Sequence, residues 1–229
     1  METSGSSAHD VCKIGWQDVA LGGDGRRVVN DERGAVFVDP GRPISSATIA
    51  VHHIVDADVA GAKFWKDAAP PILKPAGGVR ATVLHAATGG GVRWICTWKC
   101  ALRLWPDLPG FSNQMLRYER MPDGLNRQLC LPAHRAMPDA YVTAPHLRDM
   151  LNIVSVEQLL AWSDELELLP RIPKGANRGN PWSCLGADAL IGFTKDRDVD
   201  IRFSAKIELR RRGELSDLAS PVSVQQSLL

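Results

Sequence analysis

The chain has 229 residues, 45% of them apolar and 23% charged, a composition that can bury a sizeable core and that excludes a repeat array or wholesale disorder. Its longest apolar runs are about four residues, such as Ala35 to Val38, far short of the roughly 18 needed for a membrane-spanning helix. The formal net charge of +1 hides an asymmetry: residues 170–212 hold ten Lys or Arg against five Asp or Glu, a local net of +5, which fits either a polyanion partner or a solvated basic surface.

The first residues, METSGSSAHD, show no basic region followed by an apolar stretch, so no secretory leader is expected. Five cysteines without paired spacing fit reduced thiols in the cytoplasm. From Val11 to Leu21 the run VCKIGWQDVAL reads as a strand that ends at the turn Gly22-Gly23-Asp24-Gly25. Gly34 to Val38 reads as a second strand, pairing with the first or with Val28-Val29 in a short antiparallel meander. Short helical segments are expected in DADVAGAKFWKDAA, with Pro70-Pro71 ending them, and Val79 to Leu84 fits another strand. WICTWKCALRLW places Ile95, Trp98, Leu102 and Trp105 at helical spacing and predicts a buried helix stopped by Pro106. Ser112 caps a helix through Tyr118, and Pro138 suits the first position of a helix that Pro145 should kink before it ends near Leu151. SVEQLLAW gives one more helix, Pro170 to Pro181 reads as a linker or surface loop, and a small helical module runs to Arg212. Strands mixed with helices point to an α/β or α+β domain.

Most candidate chemistry is better read as packing. Cys96 and Cys100 share a helix face but have no second ligand pair for zinc, which favours core thiols. The glycines at 77–78 and 89–91 form no phosphate-binding signature. His134-x-x-x-x-Asp139 is the exception, since a histidine on an approach loop and a carboxylate in a first helical turn can converge on one water. The spacing alone is weak, because His53 and Asp58 repeat it. The context is what distinguishes it: LPAHRAMPDAYVTAPHLRDML, followed by SVEQLLAWSDE and PKGANRGNPW.

On those segments the chain resembles the DEDDh 3'-5' exonucleases, the group of the DNA polymerase III epsilon subunit and exodeoxyribonuclease X, over nearly its whole length. VHHIVDADVAGA is similar to a loop of the form VHGIT that borders the substrate terminus, with His52 on the histidine. WICTWKCALRLWP resembles the helix after the second motif, HRAMPDAY resembles the third motif, and PKGANRGNPW through ELRRR resembles a small C-terminal module of exodeoxyribonuclease X-like members. The resemblance implies a ribonuclease H-like α/β fold, a mixed five-stranded sheet flanked by helices. It implies an exonuclease-like domain over residues 1–168, the basic module over 169–212 and a frayed tail over 213–229.

It also implies a function: hydrolysis of the terminal phosphodiester at DNA 3' ends, single-stranded at the terminus, with a polymerase as a further partner. Two Mg²⁺ or Mn²⁺ ions about 4 Å apart, held by four carboxylates, would serve the reaction while a histidine takes the proton from water. Glu2 and Asp139 match two of the four metal-binding acids, His134 matches the general base, and Thr3 and His52 match substrate-binding positions. The acid that should precede Glu2 in the first motif falls one position before Met1, which predicts a reading frame that begins upstream with a β-branched run ending in Asp. The second motif should lie between Leu73 and Trp94, where no acid occurs and His85 is the remnant of its turn. A degenerate relative that binds nucleic acid, or serves as an adaptor, without assembling the metal pair is the alternative.

Overall fold

The computed structural model describes residues 2–3, 10–73, 79–81 and 93–214. They form two compact units, one within Met1–Leu104 and Leu108–Asp164, the other within Trp105–Asp107 and Glu165–Leu229. Residues 215–229 of the expected tail, His85 and most of the segment expected to carry the second motif lie outside the described residues.

The first unit is built on a mixed α/β plan around two long strands, β2 (Val11–Leu21) and β3 (Arg27–Phe37). They form one antiparallel hairpin, with Lys13 opposite Phe37 and Leu21 opposite Arg27. Gly25, at φ 80°, takes the left-handed step that closes its turn. Val28-Val29 and Gly34–Phe37, read from sequence as separate pieces, are one continuous strand. The other edge of β2 is shared: β1 (Glu2–Thr3) pairs at Lys13 and Val11, and β4 (Val79–Ala81) pairs at Gln17 to Val19. Among the described residues the sheet therefore has four strands, all antiparallel, where a mixed sheet of five was expected. Beyond β1, the same edge of β2 is taken up by β4 from Gln17 to Val19.

Helices cover both faces, which is why β2 is buried nearly throughout. On one face α3 (Trp65–Leu73), which follows α1 (Ser46–His52) and α2 (Asp56–Val59), packs Ala68, Ala69 and Ile72 against Val11, Ile14 and Val38. Pro70 and Pro71 were expected to end this helix, yet it continues to Leu73. Two prolines in the last turn remove two backbone donors, but their fixed φ suits a helix and the apolar burial of Ile72 keeps the turn in place.

On the other face lies α6 (Ala136–Ile153), whose Ala144 and Leu147 pack on Val19. Its first turn sits directly on β2 at Gly15: a Cβ there would be 2.2 Å from the Ala136 carbonyl carbon and 2.3 Å from the Met137 nitrogen. Pro138 is the third residue of α6, not the first, and is equally harmless there because none of the first four helical N–H groups has an intrahelical acceptor. Pro145 lies within the helix. Around α6 stand α4 (Thr97–Leu104), α5 (Asn113–Arg120) and α7 (Val156–Asp164). The buried side of α4 is Cys100, Ala101 and Leu102, while Trp98, expected inside, is exposed and meets Phe111 edge-on at 6.2 Å. Cys100 is a core thiol whose burial pushes its pKa up to about 11.

In the second unit a 3₁₀ turn at Trp182–Cys184, α8 (Ala187–Phe193) and α9 (Val199–Arg211) enclose Ile172, Trp182, Leu190, Ile201 and Leu209. The Pro170–Pro181 stretch is not a linker: Ile172 is buried, and its backbone bonds Asn180 and Gly179 across a closed loop. Arg212 donates to the Leu185 and Trp182 carbonyls and to Glu208.

Candidate active site

The segment expected to carry the third motif is held from several directions. Tyr141, on α6, places its hydroxyl 3.0 Å from the Asn126 N–H and 3.4 Å from the Gly124 carbonyl, and Arg148 donates to the Asp123 carbonyl at 3.0 Å. The approach loop is thus tied to the helix it enters. At its end His134 adopts a left-handed backbone, φ 59°, with an exposed ring. That twist points the His134 N–H back onto the Asp139 carboxylate, one turn into α6.

Asp139 is positioned by α5 as well. Ser112 caps α5 as expected, its hydroxyl accepting from the Met115 N–H, and so fixes the two residues that follow. Asn113 donates to the Asp139 carbonyl at 3.0 Å, the Thr143 hydroxyl donates to the same oxygen at 2.8 Å, and the Gln114 side chain faces the carboxylate. Gln114 in turn accepts from buried Arg117 at 3.1 Å. Burial pushes the Asp139 pKa above the ordinary range, against the opposing pull of the His134 charge and N–H and of Gln114. Sequence reasoning did not find Asn113 and Gln114. The helix cap was visible, but no spacing rule links its first turn to a carboxylate on another helix.

The other expected residues are placed differently. Glu2 and Thr3 lie on β1, with Glu2 opposite Lys13 and Thr3 opposite Val11. His52 is a core residue: it is 2% exposed, its Nδ1 accepts the Ile54 N–H at 3.1 Å, and its Nε2 is 3.8 Å from the Cys12 sulfur. Direct contact with a substrate terminus, the expected role of His52, is therefore not what this arrangement offers. The ring fills the end of α1 beneath the loop. His53, which takes the place of the glycine in VHGIT, has φ 56°, a conformation that favours glycine.

Behind Asp139, α6 also carries His146, buried beside Arg120, whose guanidinium lies 2.9 Å from Nδ1 and 2.8 Å from the Asp149 carboxylate. Burial first, then the Arg120 charge, lowers the His146 pKa from 6.5 to about 4. A base whose folded pKa is depressed costs stability once the unfolded state can take up the proton. The native state should therefore lose stability as pH falls from about 6.5 to about 4. Melting curves across that window should show the loss in the native chain, and His146→Gln should flatten it.

Among the described residues no three His, Cys, Asp or Glu side chains come together as a metal-binding group. Asp139 with His134 supplies one carboxylate and one imidazole. No helix among the described residues is long and apolar enough to cross a membrane.

No family model matches the chain. Exodeoxyribonuclease 10 of Escherichia coli K12 is 33% identical over 157 residues, covering 62% of this chain and 66% of that protein. The same protein of Escherichia coli O6:H1 matches equally. A solved structure of exonuclease X in complex with 5' overhanging duplex DNA superposes with a TM-score of 0.51 at 30% identity, covering 71% of this chain and 95% of that one. The chain belongs to the exodeoxyribonuclease 10, or exonuclease X, family. The sequence match spans just under two thirds of the length of the curated relatives.

Proposed function

We propose that the chain is a DNA exonuclease of the DEDDh 3'-5' type with a ribonuclease H-like fold, acting on single-stranded 3' termini in the cytoplasm. The observation that carries this reading is the convergence of His134 and Asp139 at the entrance of α6, in a member of the exonuclease X family. His134, exposed and anchored through its own N–H, is the group that accepts the proton of the attacking water. Asp139 is its carboxylate partner and, with Glu2, the acid left to hold Mg²⁺ or Mn²⁺. Thr3 lies beside the terminus, and His52 supports the bordering loop from within. A polymerase partner fits the same lineage.

The acid-free stretch between Leu73 and Trp94 favours a low hydrolytic rate. The same observation supports a second reading, a relative that grips DNA without cutting it. The decisive measurement is Mg²⁺-dependent release of nucleotides from a 3'-labelled oligonucleotide. Trace release that His134→Ala and Asp139→Ala each remove supports the exonuclease. Binding without release supports the second reading, and robust release insensitive to both substitutions overturns the assignment of the two residues.

A further inference from the structure

A cavity of about 540 Å³ opens between the β2–β3 hairpin and the first turn of α6, immediately after His134. Lys13 and Arg33 rise from the sheet, Arg135 and Pro132 form the wall beside α6, and Gly34 and Ala35 leave the floor shallow. Among the described residues no Asp or Glu lines it. Lys13 and Arg33 belong to one face of the sheet, because Arg33 pairs directly with Gln17, an even number of residues along β2 from Lys13. Four residues of strand separate the two positions, about 13 Å at roughly 3.3 Å per residue.

Among the described side chains none forms an ion pair with Lys13, and Glu2 stands opposite it on β1. Lys13 stacks on the Phe37 ring at 4.4 Å, which leaves its charge in place. The acid near Arg33 is Asp31, 3.5 Å away and fully solvated, a pairing of little energetic weight. We propose that this cavity is a track for successive phosphates of a single nucleic-acid strand, with Lys13, Arg33 and Arg135 as its cations. It rests on the proposed function only in that the strand is the one whose terminus reaches His134 and Asp139.

The experiment titrates the full chain with a fluorescently labelled single-stranded oligodeoxynucleotide over a range of salt concentrations. It compares the native protein with Lys13→Gln, Arg33→Gln and Arg135→Gln, singly and together, each checked for an unchanged melting temperature. Each cation lost should flatten the logarithmic salt dependence by about 0.7, and the triple variant by about 2. Arg33→Lys and Arg135→Lys should keep the native slope. If the native chain binds and the triple variant keeps its slope and affinity, the track is wrong while the exonuclease reading stands. If the native chain binds no oligonucleotide, both fall. Competition by inorganic phosphate at millimolar concentration, lost in the triple variant, would make the cavity a single-ion site and also overturn the track.

Discussion

Gly15→Ala is expected to lower the melting temperature by about 6–12 °C, the equivalent of about 3 kcal/mol for a chain of this size. The added methyl would lie 2.2 Å from the Ala136 carbonyl carbon and 2.4 Å from its oxygen. Those are backbone atoms of a helix turn, so no side-chain rotation can relieve the overlap. Either α6 lifts from β2 or the strand bends, and both movements displace His134 and Asp139 from their common position. Gly23→Ala is the matched control, since nothing lies within 4 Å of its added carbon. It should melt within about 1 °C of the native chain, because surface changes away from special features cost little. Equal melting of the Gly15 and Gly23 variants would show that α6 does not rest on β2 as described.

Arg212→Ala is expected to cost about 3 kcal/mol in the second unit, because one guanidinium holds the Leu185 and Trp182 carbonyls at 2.7 and 3.1 Å and the Glu208 carboxylate at 2.8 Å. Charge-assisted bonds of this kind are worth about 1.5–3 kcal/mol each when a partner is left stranded. Glu208 keeps Arg211, the first of the two cations that hold its pKa down to about 2. Hydrogen exchange of the α9 amides should accelerate about a hundredfold. The same variant should leave the salt dependence of DNA binding unchanged. A triple change at Arg178, Lys195 and Arg197, exposed residues whose side chains have no described hydrogen bond or ion pair, should flatten it. Unaltered exchange in Arg212→Ala would refute its structural role. An unaltered slope in the triple variant would make the basic surface of this unit a solvated face.

How much of this could be read from the residues depended on whether the cause was local. The bounds of β2 followed from its composition and from the glycine turn after it, and the cap of α5 followed from Ser112. His134 and Asp139 were legible through the segment around them, since their spacing recurs at His53 and Asp58. Pro70 and Pro71 misled because a missing N–H is a local loss, whereas the apolar contact that outweighs it comes from strands earlier in the chain. Lys13, Arg33 and Arg135 form no motif at all, because a hairpin and a distant helix bring them to one cavity.

The left-handed backbone of His134 has an evolutionary corollary. A non-glycine residue at φ 59° carries a conformational cost of roughly 1–2 kcal/mol that glycine would avoid. Selection for thermal robustness alone would therefore favour glycine at this position, and selection for the proton transfer proposed for His134 would oppose it. A laboratory population screened only for heat resistance should drift towards His134→Gly, trading imidazole chemistry for a more relaxed loop. Retention of histidine under that regime would mean that its ring contributes to folding as well as to any reaction.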